Sequence, residues 1–264
     1  MILPMPLRLP ALPPDPDAPF PDPANALREP DGLLAMGGDL SPARLLNAYR
    51  HGIFPWYSAG QPILWWSPDP RAVFRTDRVC LSRRFRRSLR ASPWVVRADT
   101  AFDRVLAICA EIPRDGQRGT WITTDMRAAY ARMHRLGHAH SIEVFDGTDL
   151  VGGLYGMAVG RMFYGESMFS TDSGGSKVAL AALAATLRSW GWPLLDAQVD
   201  NAHLQTLGVE LWPRARFLAA IAPLVIRPEV PGPWTDRFGE VAASRLVSAP
   251  PATPAEPMPR GVLP

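Results

Sequence analysis

Three polar residues in apolar surroundings are the first candidates for chemistry. Glu166 lies in the run YGESMFS, and Asp196 and Gln198 lie in the run LLDAQV. In a strand, positions i and i+2 point to the same face, so we expect Asp196 and Gln198 to lie side by side. Buried carboxylates and amides need hydrogen-bond partners. The pair therefore either caps the end of a strand or belongs to a functional site.

The segment from residue 140 to residue 198 predicts the elements that would position these side chains. Alternating polar and apolar residues, turn signals and one Ala/Leu-rich stretch at helical spacing define them. The order β-β-β-α-β favours an acyltransferase-like core. The strands are predicted at 141–144, 149–157, 161–166 and 194–199, and the helix at 177–190.

Composition indicates a globular protein whose charge is nearly balanced. The 264 residues are 47% hydrophobic and 20% charged, with a formal net charge of +3, so any basic site must come from clustering. Cys80 and Cys109 are too few for a disulfide framework, which favours a reducing compartment and a cytoplasmic location. We expect no signal peptide and no membrane span, because no apolar run is long enough.

The chain is predicted to contain four parts. Proline dominates both ends, and an aromatic-rich stretch precedes the acyltransferase-like segment. The fold class is therefore predicted to be α+β, with a small N-terminal domain and a larger, GNAT-like mixed-sheet domain. The parts are a poorly ordered arm (1–24), the small domain (25–70), the catalytic domain (71–227) and a disordered tail (228–264).

A basic segment follows the small domain. Five arginines fall within eight positions with no acid among them. Like charges at i,i+3 and i,i+4 on a helix repel each other, which favours an anionic partner such as a nucleic-acid backbone over a merely solvated face. The arginines are Arg83, Arg84, Arg86, Arg87 and Arg90.

Two further clusters have competing interpretations. The aromatic residues at 56, 57, 65 and 66 could form the core of a small domain or a platform on which a nucleotide base stacks. His134, His138 and His140 suggest a metal site, but Gly137 interrupts the helix between the first two and no carboxylate completes the set. We expect no metal.

Several long sequence blocks resemble the leucyl/phenylalanyl-tRNA–protein transferase family. They occur in the order of that family and, with weaker similarity between them, extend over residues 26 to 217. Long blocks in order are more specific than any short motif. The blocks are REPDGLLAMGGDLS (28–41), HGIFPW (51–56), ILWWSPDPR (63–71), GTWI (119–122), LGHAHSIEV (136–144), GESMFS (165–170) and LDAQV (195–199).

The resemblance implies transfer of Leu, Phe or Met from an aminoacyl-tRNA to the N-terminal Arg or Lys of a protein, which marks that protein for degradation by the N-end rule. The ester already holds the energy, and no P-loop is present, so no cofactor is expected. The partners would be aminoacyl-tRNA and proteins that begin with Arg or Lys.

The resemblance also implies roles for individual residues. Tyr49, Trp56 and Trp121 match the site for the 3′-terminal adenosine of the tRNA, and the basic segment matches tRNA contacts. Glu166 would pair with the acceptor cation, and Asp196 would orient Gln198, which would position the attacking amine. The aminoacyl pocket would be formed by Leu154, Phe163, Met168, Leu180, Leu183, Leu187 and Leu195.

Two other functions remain open at this point. An N-acyltransferase that uses acyl-CoA would share the element order, although the loop at 169–177 lacks the pyrophosphate-binding pattern of that class. A non-catalytic tRNA-binding protein would share the basic segment, although it would not need Glu166, Asp196 and Gln198. The sequence does not decide between Leu, Phe and Met, nor does it reveal the proton path.

Overall fold

A small mixed sheet forms the N-terminal part of the molecule. The structure is a computed structural model, and it describes residues 9–112 and 121–248. Helix α1 (Pro42–Arg50) follows the second strand and begins at Ser41, whose hydroxyl accepts the N–H of Arg44. The strands lie in the order β1-β2-β4-β3. They are β1 (Ala11–Leu12), β2 (Leu33–Gly37), β3 (Phe54–Pro55) and β4 (Leu64–Trp66).

A larger mixed sheet follows. Its eight strands lie in the order β11-β5-β10-β9-β8-β7-β6-β12, and only the pair β9–β10 is parallel. The strands are β5 (Arg71–Arg75), β6 (Val95–Ala98), β7 (Ala139–Asp146), β8 (Asp149–Val159), β9 (Met162–Ser170), β10 (Leu194–Gln198), β11 (Glu210–Trp212) and β12 (Val241–Ala242).

Helices cover both faces of the larger sheet. On one face, α5 packs on the β7–β9 strands through Leu180 and Leu183, beside Leu154 and Leu195. On the other face lie α1, α3, α4 and α7, in a core that the N-terminal sheet shares. The remaining helices are α2 (Arg83–Leu89), α3 (Phe102–Glu111), α4 (Thr124–Arg135), α5 (Gly175–Ser189), α6 (Ala202–Gln205), α7 (Arg214–Val225) and α8 (Thr235–Phe238).

The predicted order of elements over residues 140–198 is confirmed. Strands β7, β8 and β9 are followed by α5 and β10, which gives the order β-β-β-α-β and an α+β fold with a small N-terminal part and a larger mixed sheet. Gly152 lies where α5 crosses β8 closely. A Cβ on Gly152 would lie 2.4 Å from the backbone of Gly175.

The N-terminal arm differs from the prediction over residues 9–24, because this segment is packed. Strand β1 extends the N-terminal sheet by pairing in parallel with β2. The buried guanidinium of Arg44 donates to the carbonyl oxygens of Pro13, Asp15 and Ala18, which hold the segment in place. Residues 1–8 lie outside the described residues.

The prediction of a disordered tail is wrong for residues 228–248. Helix α8 lies in this segment, and β12 pairs with β6 at the edge of the sheet. Trp234 and Phe238 are 5% and 7% exposed. The free energy gained by burying these aromatic side chains offsets the conformational entropy lost when a proline-rich segment is ordered. The rest of the predicted tail, 249–264, lies outside the described residues.

Two other expectations concern absences. Among residues 9–112 and 121–248, no group of three or more His, Cys, Asp or Glu side chains is arranged to hold a metal ion. In the same part of the chain, no helix combines the length and the apolar character that crossing a membrane requires.

Candidate active site

The site lies where the two parallel strands separate. The ladder between β9 and β10 contains two residue pairs, Phe163 with Leu195 and Tyr164 with Asp196. Beyond them, Gln198 Nε2 donates a hydrogen bond of 2.9 Å to Glu166 Oε1 and connects the two strands. A carboxylate and an amide are therefore held together at the open end of a strand pair.

Glu166 belongs to a ring of hydroxyl and carboxyl oxygens. The hydroxyl oxygen of Tyr49 lies 2.7 Å from Oε1, that of Tyr130 lies 2.7 Å from Oε2, and the two hydroxyl oxygens lie 2.6 Å apart. Three such contacts need three protons, of which the tyrosines supply two. The ring is complete when Glu166 carries the third proton.

The surroundings of Glu166 make proton uptake easier than for an exposed glutamate. Burial and, to a smaller extent, the negative charge of Asp196 together raise the pKa of Glu166 to about 7, against hydrogen bonds from Tyr49, Tyr130 and Gln198 that lower it. Burial also raises the pKa of both tyrosines well above 10, with the Glu166 charge acting in the same direction. Glu166 can therefore gain or lose a proton near neutral pH, whereas the tyrosines stay protonated.

Asp196 and Gln198 do not lie side by side, which corrects the expectation from strand alternation. A bulge between them makes Ala197 an extra residue against β5, and Gln198 has φ = +63°. Leu195, Ala197 and Gln198 border the cavity described below, whereas Asp196 pairs with Arg71 through two hydrogen bonds of 2.8 and 2.6 Å. Asp196 does contact Gln198, but through the backbone: the N–H of Gln198 donates to Asp196 Oδ1 at 2.9 Å.

An apolar cavity of about 300 Å³ opens beside Glu166 and Gln198. Its size is at the lower end of the range for small-molecule sites. Six of the seven predicted pocket residues border it, while Leu187 is fully buried in the same core and does not. The six are Leu154, Phe163, Met168, Leu180, Leu183 and Leu195.

The aromatic residues divide between the cavity and the core. Trp56 and Trp121, two of the three predicted adenosine contacts, border the cavity. The third, Tyr49, is fully buried behind Glu166 and does not border it. Trp65 is fully buried and Tyr57 is 7% exposed, so these two serve the core.

The basic segment forms α2, and most of its arginines face solvent. Arg83, Arg84, Arg87 and Arg90 are exposed, and Arg86 is half-buried. The apolar side of the helix packs on the beginning of α5, where a Cβ on Gly174 would lie 2.3 Å from the Phe85 ring. This contact places the basic helix beside α5, which also borders the cavity. Four of the five arginines are thus open to solvent, on this helix or directly after it.

Sequence reasoning missed two residues that complete the site. Tyr130 lies among the buried apolar side chains of α4, and its hydroxyl donates to Glu166. Arg71 ends the block ILWWSPDPR and is fully buried against Asp196. An arginine directly before the apolar run at 72–74 was the available signal, because a guanidinium that is buried with such a run needs hydrogen-bond acceptors.

Comparison with known proteins gives the family. Residues 73–222 match the model of the family described as leucyl/phenylalanyl-tRNA protein transferase, and residues 38–69 match the model of its N-terminal domain. Relatives named leucyl/phenylalanyl-tRNA–protein transferase occur in Xanthomonas species and in Xylella fastidiosa.

The relative from Xanthomonas axonopodis pv. citri (strain 306) is 66% identical over 89% of this chain and 94% of its own. The relative from Xanthomonas euvesicatoria pv. vesicatoria (strain 85-10) is 69% identical over 87% and 92%. The relative from Xylella fastidiosa (strain M23) is 60% identical over 89% and 97%. The chain therefore belongs to the leucyl/phenylalanyl-tRNA–protein transferase family and is an enzyme of the transferase class.

Proposed function

We propose that this transferase moves Leu, Phe or Met from an aminoacyl-tRNA onto the α-amine of an N-terminal Arg or Lys, and so marks the acceptor protein for degradation by the N-end rule. The observation that carries the proposal is the position of Glu166 and Gln198 at the edge of an apolar cavity. An aminoacyl side chain needs the apolar space, and a cationic acceptor needs the carboxylate.

The aminoacyl side chain occupies the apolar cavity. Leu180 and Leu183 of α5 form one wall, and Phe163 and Leu195 come from the two separating strands. Burial of a Leu or Phe side chain there contributes about 1.5–3 kcal/mol. Differences among Leu, Phe and Met in such a site discriminate weakly, which supports transfer of all three.

The 3′-terminal adenosine binds beside the cavity against Trp56 and Trp121. Both indoles border the space that the aminoacyl group would occupy, and an indole face suits base stacking. We assign Tyr49 to the same site through Glu166, because its hydroxyl holds that carboxyl group. The exposed arginines of α2 contact the tRNA backbone, where they supply affinity without reading sequence.

Glu166 binds the side chain of the acceptor residue. A guanidinium or ammonium ion favours the ionised carboxylate, so acceptor binding releases the proton that Glu166 holds in the empty site. Lys and Arg share an aliphatic stem, a positive charge and hydrogen-bond donors at its end. A single carboxylate at the edge of the cavity therefore accounts for both acceptors.

Gln198 positions the attacking amine. Its Nε2 is occupied by Glu166, which leaves the side-chain oxygen as the acceptor for an amine N–H. An amide is a very poor base, so its contribution is orientation. The amine nitrogen bonds to the ester carbonyl carbon, the ester C–O bond breaks, and the proton lost by the amine passes to the departing ribose oxygen.

The reaction needs no added energy source, because the ester is already activated. We therefore assign no cofactor, and we place the reaction in the cytoplasm, where aminoacyl-tRNA is made. An acyl-CoA-dependent N-acyltransferase is the alternative enzyme, and a tRNA-binding protein without activity is the alternative of another class.

A transfer assay with the purified chain tests the proposal. The donors are leucyl-, phenylalanyl- and methionyl-tRNA, and the acceptors are peptides that begin with Arg, Lys or Ala, without CoA or ATP. We expect transfer to the Arg and Lys peptides only, and a loss of about 100-fold or more in Gln198→Ala. Activity only with acyl-CoA, or tRNA binding without transfer, would replace this proposal with one of the alternatives.

A further inference from the structure

Arg71 is a fully buried cation beside the site, and the roles assigned above leave it without a function. Its Nε and Nη2 donate to the two carboxylate oxygens of Asp196 at 2.8 and 2.6 Å. Its Nη1 donates to the carbonyl oxygen of Gly52 at 2.9 Å. The rings of Phe54 and Phe217 lie over the guanidinium, with its carbon 4.9 and 4.7 Å from their centroids. The planar group is thus held by hydrogen bonds at its edges and by two aromatic rings.

Asp196, which Arg71 holds in place, in turn contacts the backbone of Gln198. The Oδ1 atom that accepts from Arg71 Nε also accepts the backbone N–H of Gln198, at 2.9 Å. Gln198 has φ = +63°, a left-handed conformation that is unfavourable for a residue with a Cβ. Such a conformation persists where the surroundings hold it. In this conformation the Gln198 amide reaches Glu166.

We propose that Arg71 is a positioning residue for the transfer reaction, acting through Asp196 to fix the backbone of Gln198 and to aim its amide at the attacking amine. The inference rests on the function proposed above. A bidentate guanidinium holds both the place and the orientation of a carboxylate, which lysine or a neutral residue does not. An error of about 1 Å in a positioning group can reduce a rate about 100-fold.

A purely structural role makes a different prediction. Removal of one partner of a buried ion pair leaves an unpaired charge and destabilises the fold, whereas replacement of both partners by neutral groups is often tolerated. If Arg71 only stabilises the protein, activity should follow stability when both charges are removed. If Arg71 positions Gln198, stability should return without activity.

The test compares Arg71→Met, Asp196→Asn, the double variant with both changes, and Arg71→Lys with the wild type. Arg75→Lys is the matched control, because Arg75 lies on the same strand, is half exposed and pairs with Asp77 at the surface. Each protein is assayed for kcat and KM with leucyl-tRNA and an Arg-initial peptide, and for its melting temperature. Arg71→Lys keeps a charge at this position and covers the case in which Arg71→Met does not fold.

We expect the single variant Arg71→Met to have a lower melting temperature and a lower kcat. The double variant should recover most of the melting temperature while kcat stays about 100-fold below the wild type, with the KM for leucyl-tRNA changed less than about threefold. Arg71→Lys should lower kcat about tenfold or more, and Arg75→Lys should match the wild type.

Recovery of kcat together with the melting temperature in the double variant would overturn the role of Arg71. So would a rise in KM for leucyl-tRNA at unchanged kcat, because that pattern indicates weaker substrate binding. In both cases the wild type still transfers, so the proposed function stands. Absence of transfer by the wild type would instead overturn the function and this role together.

Discussion

At the scale of single residues, the protonation of Glu166 governs the site. The oxygen ring with Tyr49 and Tyr130 is complete when the carboxyl holds a proton, and a bound acceptor cation favours its loss. Glu166 was recognised from its sequence context as a carboxylate without an obvious structural purpose. Its two tyrosine partners come from distant helices, and residue spacing carries no information about such contacts.

The raised pKa of Glu166 predicts how stability depends on pH. Burial raises the pKa from its ordinary 4.5 to about 7, so the folded state binds this proton more tightly than the unfolded state. Between those two pH values, the contribution of Glu166 to the free energy of unfolding falls as pH rises, by up to about 3 kcal/mol. Glu166→Gln should lack this fall in urea denaturation measured from pH 5 to pH 8.

Glu240→Gln is the control for this measurement, because Glu240 lies at the surface in an ion pair with Arg97 and its side chain is 57% exposed. Its pH dependence should follow that of the wild type. A difference between wild type and Glu166→Gln that stays constant from pH 5 to pH 8 would show that Glu166 does not titrate in this range.

At the scale of elements, the strands and helix of the catalytic part were predictable and the faces of β10 were not. Apolar alternation and Ala/Leu spacing are properties of single elements, and they gave β7, β8, β9, α5 and β10 in order. A bulge inserts one residue and moves the following side chain to the other face. An alanine at position 197 is not a signal for a bulge, so the sequence wrongly predicts that the side chains of Asp196 and Gln198 point to the same face.

Helix α2 gives a prediction about tRNA binding. Reversal of two exposed charges, Arg83→Glu with Arg87→Glu, should raise the KM for aminoacyl-tRNA about tenfold or more and leave kcat nearly unchanged. The slope of log affinity against log salt should fall by about one for each phosphate that the protein no longer neutralises. Binding measured at several salt concentrations reports both changes.

Arg104→Glu with Arg135→Glu is the control for the charge itself, because it reverses the same number of charges and both arginines are exposed, on α3 and α4, which cover the opposite face of the larger sheet. It should change the salt slope little. Equal effects of the α2 variant and the control would mean that tRNA responds to net charge and not to this helix.

At the scale of the whole molecule, the segment 228–248 packs against the larger sheet and pairs with its edge strand β6. Trp234 stacks on His140 with ring centroids 3.8 Å apart, and its backbone N–H donates to Asp99 at 2.7 Å. The high proline content of this segment predicted disorder, because composition averages over many residues. Such an average does not capture individual side chains such as Trp234 and Phe238, which are buried in the core on one face of the sheet.

Trp234→Ala should therefore destabilise the protein by about 3–5 kcal/mol, the range for removal of a large aromatic side chain from a core. Val230→Ala in the same segment should change stability by less than about 0.5 kcal/mol, since Val230 is 91% exposed. Urea denaturation measures both. Equal, small effects would mean that the segment does not contribute to the folded core.

The central claim is that Glu166 selects the charged acceptor, and acceptor competition tests it most directly. Peptides that begin with Arg, with Lys, or with citrulline, a neutral analogue of Arg, compete for leucyl transfer by the wild type, Glu166→Gln and Gln198→Asn. We predict that the wild type prefers Arg over citrulline by about 100-fold, and that Glu166→Gln reduces this preference to about threefold at unchanged KM for leucyl-tRNA. Gln198→Asn should slow all three peptides and keep the preference. An unchanged preference in Glu166→Gln would contradict the account.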